Sequence, residues 1–126
     1  MDIEGRRIAD REALKYRERL AYIRGFEQGM GENTPISSKY VEARKWVWVI
    51  ERVRAKLACY SPQKEKFFAE YYGLDRPLSK YETKRSRIYK IAAALYVGES
   101  TLYKWKEQIL DDMLLAAVQA GLYKPF

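Results

Sequence analysis

Apolar residues recur along this chain at helical spacing. From about Asp10 to Glu27 a charged stretch carries Ala13, Tyr16, Leu20 and Ile23, with Ala9 just ahead, three or four positions apart. That is the stripe of one amphipathic helix. Glycines at 25, 29 and 31 and then Asn33-Thr34-Pro35 mark a loop, so this helix is expected to end near Gln28. Ser37 or Ser38 can cap a second helix running to about Cys59. Ala43, Trp46, Ile50, Val53 and Leu57 form its strong face, expected to pack antiparallel on the first helix. Its opposite face is not purely polar: Val41, Trp48 and Ala55 recur every seven residues, as in a coiled-coil seam. That face either packs on the C-terminal half of the same chain or forms a homodimer contact.

A third helix opens at Ser61-Pro62, with Ser61 as N-cap and Pro62 as first helical residue. Phe67, Phe68, Tyr71 and Tyr72 follow, and Gly73 is the expected stop. These aromatics could stack on unpaired bases, but their spacing favours a core role. Leu74 to Ser86 is polar and basic and reads as a loop with at most one helical turn.

Ile88 to Ile109, IYKIAAALYVGESTLYKWKEQI, reads as helix, tight turn, helix. Ile91, Ala92 and Leu95 make the apolar side of the first helix, and Val97 is expected to be buried in the turn. Gly98 offers a conformation open to few other residues. Ser100 and Thr101 are candidate caps for the next helix. Leu102, Trp105 and Ile109 share one face of that helix, while Tyr103, Lys104 and Glu107 share another. The small Ala92 allows a close crossing. Met113, Ala116, Ala117 and Ala120 continue the buried stripe, so the last helix is expected to reach about Ala120, before Gly121. Leu122, Tyr123 and Phe126 form an apolar tail, with Pro125 preventing further helix. In a helix-turn-helix the N-terminal part of the second helix enters the DNA major groove. An ordinary helical hairpin would show the same apolar spacing.

Composition narrows the chemistry. The 126 residues fit one ordinary domain or two small helical units, and 48% apolar content suffices for a core. There is no histidine and one cysteine, Cys59, so histidine triads, most zinc sites and intrachain disulfides are excluded. Asp111 and Asp112 are adjacent and do not converge on a helix. No phosphate-cradling glycine loop is present. The expectation is a non-enzyme with no cofactor and no metal. The first residues lack a signal-peptide pattern, and no uncharged apolar run of about 18 residues exists. A bacterial cytoplasmic protein with no membrane partner is expected.

Charge favours a polyanion. The net charge is +7, and between Arg76 and Lys106 eight Lys/Arg face two acids, Glu82 and Glu99. The excess therefore coincides with the helix-turn-helix. Gly98, Glu99, Ser100, Tyr103, Lys104 and Glu107 are the candidates to face bases. Lys84, Arg85, Arg87, Lys90 and Lys106 are the candidates for phosphates, which fix register on the duplex.

The opening Ser-Pro, the aromatic helix, the loop and then IAAALYVGESTLYKWKEQIL resemble the region-4-type helix-turn-helix of sigma-70 factors. More specifically, the arrangement resembles small phage regulators of late transcription, the RinA and ArpU families. The likeness covers about residues 60–112. Departures are Tyr96 where the turn usually carries glycine, Gly98 for the usual capping serine, Glu99 at a position often basic, and a longer preceding loop. The first leaves the turn geometry open. A carboxylate at 99 suits a cytosine amino group or the helix dipole better than a phosphate.

The expected fold is all-α. Residues 1–60 form a helical hairpin for packing or oligomerisation, and residues 61–126 a region-4-like DNA-binding domain with a long last helix. The resemblance implies sequence-specific double-stranded DNA binding by a phage or prophage transcription regulator, with RNA polymerase as a further partner. Val41, Trp48 and Ala55 are the candidate homodimer contact. The alternatives are the small subunit of a phage terminase, which also pairs such a motif with oligomerising helices, and a protein-interaction adaptor that binds no DNA.

Overall fold

Why the N-terminal stripe does not form one helix becomes plain once its partners are seen. The computed structural model describes residues 3–124, and α1 (Ile3–Ala13) and α2 (Tyr16–Gln28) are separate helices with a break at Leu14 and Lys15. Helix therefore starts well before the expected Asp10, and no glycine or proline marks the break. The stripe is continuous, with Ala9, Ala13, Tyr16 and Ile23 all buried. What divides it is that α1 packs on the last helix, whereas α2 packs on the third. Glu12 fixes the corner. It is buried, and its carboxylate is paired with Arg19, Arg11 and Lys15.

The third helix, α3 (Ser38–Tyr60), is capped as expected: the Ser37 hydroxyl accepts from the Tyr40 N–H at 3.1 Å. It runs antiparallel to α2. Tyr16 at one end of α2 donates to Glu51, and Tyr40 donates to Glu27 at the other, with Phe26 and Tyr40 stacked at 4.4 Å. The expected face is buried, but so are Val47 and Val49. The buried surface of α3 is wider than one stripe because α4 and α6 cover its other side.

In α4 (Pro62–Tyr72) the Ser61 hydroxyl accepts from the Lys64 N–H, Pro62 begins the helix and Gly73 ends it in the left-handed region. Phe67, Phe68, Tyr71 and Tyr72 are all buried, at 0–2% exposure, so they are core and not a stacking surface. Each such side chain contributes about 2–3 kcal/mol by leaving water. Arg54 on α3 ties this helix and the following loop together, bonding Glu65 at 2.7 Å and Asp75 at 2.6 and 2.8 Å.

Residues 73–83 are the loop, and α5 (Lys84–Leu95) begins inside the stretch expected to be loop. Thr83 caps it, its hydroxyl accepting from the Ser86 N–H at 3.0 Å. The last helix, α6 (Glu99–Gln119), ends as expected before Gly121. Its first half lies against α4 and α5, and further along it packs antiparallel to α3 and against α1. Leu122 and Tyr123 pack against the core, while Pro125 and Phe126 lie outside the described residues.

The fold is all-α. One buried cluster runs from Ala9 and Ala13 through Leu57 on α3 and Phe67 on α4 to Met113 and Ala117. The hairpin of α2 and α3 and the helix-turn-helix thus share a core. That shared core anchors the inner sides of both α5 and α6.

Candidate nucleic-acid interface

The geometry of the α5–α6 turn starts from backbone conformation. Tyr96 ends α5 with φ 56° and ψ 42°, the left-handed region that glycine normally fills. The Val97 N–H donates to the Ala92 carbonyl at 3.1 Å, closing the helix in the usual left-handed manner. The turn therefore keeps the geometry of a glycine turn with a tyrosine in it. Gly98 takes the opposite part: its φ of −73° and ψ of 153° are ordinary extended values, open to any residue. The unusual conformation expected of Gly98 falls instead at Tyr96. Gly98 is also the N-cap of α6, with no side chain to cap it. Ser100 and Thr101 lie inside the first turn and do not cap. Val97 is only partly buried.

Ile88, Ile91, Ala92 and Leu95 are buried on the inner side of α5, and Leu102 and Ile109 on that of α6. Trp105 is half-buried, edge-on to Phe67 at 6.3 Å. The remaining face of α6 is open. Gly98, Glu99, Ser100, Lys104 and Glu107 are exposed, and Tyr103 is 47% exposed. These six are brought together along the first turns of α6. Their charge is mixed: Glu99 and Glu107 flank Lys104. Glu99 lies in the first turn, where the helix dipole favours a carboxylate.

The expected phosphate contacts divide. Lys84 and Arg85 are exposed at the start of α5, without an ion pair among the described residues. Lys90 is exposed but paired with Glu82 at 2.9 Å. Lys106 is drawn under α1, 3.6 Å from Asp10 and 3.3 Å from the Tyr71 hydroxyl, to which it donates. Arg87 does not stand on the open outer face of α5. It is 7% exposed, and its guanidinium lies over the Tyr71 ring at 4.8 Å. It falls on the same turn as Ile88 and Ile91, which points its side chain toward α4.

Three features were missed in the sequence. Tyr89 and Tyr96 are 67% and 95% exposed, and tyrosine hydroxyls can contact phosphates. They stand seven residues apart outside the buried stripe of α5, a signal that was legible. The third is α1, which lies beside the open face of α6. Arg6 makes a two-pronged bond to Asp111 at 2.9 Å on each oxygen and approaches Glu107 at 3.9 Å. This holds the Asp111 carboxyl below its ordinary range, chiefly through the hydrogen bond. Asp10 accepts from Tyr72 at 2.7 Å, and burial pushes the Tyr72 hydroxyl well above its ordinary range. The seam brings Arg7, exposed, to a groove shared with Tyr103 and Glu107. No local pattern could place it there.

The face expected to form a dimer contact is partly covered. Trp48 remains 42% exposed, with Arg52 over its ring at 5.2 Å, and it lines a shallow groove with Ile36, Val41 and Ala120. Ala55 is exposed one turn-pair further along α3. Among the described residues no helix is long and apolar enough to cross a membrane.

No protein-family model, no curated protein and no solved structure matches this chain.

Proposed function

We propose that this protein binds double-stranded DNA through α5, the turn and the start of α6, as a transcription regulator of the kind its region-4-like motif suggests. The observation that carries the reading is the open N-terminal face of α6. Gly98, Glu99, Ser100, Tyr103 and Lys104 project from a helix anchored on its other side by Leu102 and Ile109, which are at most 1% exposed. A helix so presented fits a major groove about 12 Å wide. Lys84 and Arg85 lie at the start of the preceding helix, where phosphate contacts would set the register. Phage or prophage origin, RNA polymerase as a partner, and a bacterial cytoplasmic setting belong to the same proposal and rest on the resemblance alone.

The roles follow from placement. Lys104 and Tyr103 face base edges, with Ser100 and Glu107 beside them. Lys84 and Arg85 contact phosphates, and Lys90 joins them in competition with Glu82. Lys106 and Arg87 leave this set, since one is paired beneath α1 and the other is buried.

A salt titration of duplex binding by fluorescence anisotropy tests the reading. Replacing Arg85 by alanine should lower the slope of log affinity against log salt by about 0.9, the release of one counterion. Lys104→Ala should lower affinity for the preferred site, with less effect on random duplex. Absence of any duplex binding at low salt, or an unchanged slope in both variants, would sink the proposal. The partly exposed Trp48 groove favours, as a second reading, a protein contact made alongside DNA. Elution of the protein as a dimer that Trp48→Ala dissociates would support a second copy there.

A further inference from the structure

A second site lies on the flank of α5 away from its exposed tyrosines. A cleft of about 650 Å³ opens between α4, the 73–83 loop and α5, large enough for a small organic ligand. Ala69, Leu78 and Ile91 supply an apolar wall. Arg87 lines it, 7% exposed, and its side chain has no hydrogen bond or ion pair among the described residues. Its Nε is itself buried without a hydrogen-bond partner. The face of Tyr71, 4.8 Å away, is the group that balances the charge.

A buried cation without a carboxylate is costly, and most are paired. The surrounding charges show why this one is different. Of the carboxylates around the cleft, Glu65 and Asp75 are held by Arg54, and Glu82 by Lys90. Among the described residues Glu70 has no ion pair, and Lys66 and Arg76 line the same cleft likewise without one. Over the whole lining five cations, Arg54, Lys66, Arg76, Arg87 and Lys90, therefore face four carboxylates, and the three cations without an ion pair among the described residues are Lys66, Arg76 and Arg87.

We propose that this cleft binds a phosphate monoester, with Arg87 as its fixed anchor, Lys66 and Arg76 at its rim, and the apolar wall against the ester's organic body. A guanidinium fork suits the tetrahedral oxygens of phosphate, and a dianion suits three cations better than a carboxylate does. The cleft shares only Lys90, with its partner Glu82, with the proposed duplex-binding set; Arg87, Lys66 and Arg76 lie outside that set. A DNA backbone carries similar phosphate chemistry, so the source must be separated by test.

The test uses the full chain, with phenyl phosphate and inorganic phosphate as probes and sodium chloride matched for ionic strength. Calorimetry and thermal melts are the readouts. Phenyl phosphate should bind, raise Tm beyond the chloride control, and bind more tightly than inorganic phosphate. Arg87→Met should weaken that binding by about tenfold or more, the usual weight of a charge-assisted hydrogen bond. Methionine replaces an unpaired buried cation by an apolar chain of similar length, so the variant should fold. Should it not, Lys66→Ala at the exposed rim must still weaken binding severalfold. A short duplex that displaces phenyl phosphate would assign the site to a backbone phosphate. A duplex that binds without displacing it would assign the site to a free ligand. No binding by the wild type, or equal binding by both variants, overturns the proposal and leaves the duplex reading untouched.

Discussion

Two helices of this protein end in the same way on different residues. α4 closes on Gly73 at φ 64° and ψ 44°, and α5 closes on Tyr96 at φ 56° and ψ 42°. In each, the following N–H reaches a carbonyl five residues back: Leu74 to Ala69 at 2.9 Å and Val97 to Ala92 at 3.1 Å. At Gly73 both backbone and packing require glycine, since a Cβ there would sit 2.8 Å from the Leu78 side chain and 3.1 Å from the Arg76 carbonyl. At Tyr96 the side chain is 95% exposed and buries almost nothing to offset a left-handed backbone. That conformation costs a residue with a Cβ about 1–2 kcal/mol. Two residues later stands Gly98, where the backbone is ordinary and a Cβ would have room, with the nearest contact 3.9 Å away. The first turn obeys the needs of the fold. The second carries a tyrosine where the fold wants glycine and a glycine where it wants a capping side chain. Strain of this kind collects at functional surfaces, and it supports the proposal that the turn meets a partner.

The comparison can be broken most easily at its first member. Gly73→Ala should destabilise the protein by about 2–3 kcal/mol in urea melts, from strained backbone and overpacking against Leu78. A loss under about 1 kcal/mol would mean that the loop yields and that the turns are less different than they look. Tyr96→Gly should act in the other direction, stabilising by about 0.5–1 kcal/mol once the freer unfolded glycine is allowed for. If the turn serves DNA, the same variant should bind duplex more weakly although it is more stable. Unchanged affinity would reduce Tyr96 to tolerated strain. Gly98→Ser should add a cap and stabilise by only about 0.3 kcal/mol. A larger gain would show that the start of α6 is frayed.

The smallest effect is expected where charge, and not backbone, is at stake. Asp111 is held by Arg6 with its carboxyl below the ordinary value of 3.8. Its folded state therefore binds a proton less readily than the unfolded chain, so the pair contributes above about pH 4 and is lost as pH falls through the lowered value. Asp111→Asn should be mildly destabilising near neutrality, and the difference from wild type should vanish on acidification. Part-exposed pairs are worth little. The Gly73→Ala and Tyr96→Gly effects rest on no titrating group and should persist across the same range. A constant Asp111→Asn deficit down to about pH 2 would show that the asparagine disturbs packing and not charge.

Much of the frame was readable in the chain. Ser37, the Ser61-Pro62 pair and Gly73 mark helix ends through local chemistry, and each does what its residue type favours. The aromatic stripe of α4 and the Leu102–Ile109 face of α6 are buried as their spacing requires. The open face of α6 was legible for the same reason, since residues off a buried stripe are left to solvent. The phosphate set was less so. Basic residues near a motif look alike in sequence, yet Lys84 and Arg85 have no ion pair among the described residues, Lys90 and Lys106 are paired, and Arg87 is buried.

By itself the sequence determined which residues form helices, which side of each is apolar, and where most of them stop, because capping and periodicity act over a few residues. Only the tertiary structure decided what covers each apolar side. It broke the first stripe at Leu14 and Lys15 so that α1 could reach α6, through an ion pair between residues 105 positions apart, and α4, through a hydrogen bond between residues 62 apart. It turned Arg87 inward and drew Lys106 beneath α1. Periodicity specifies that a face must leave water. It does not specify the partner, and the partner sets which charges remain available to bind anything else.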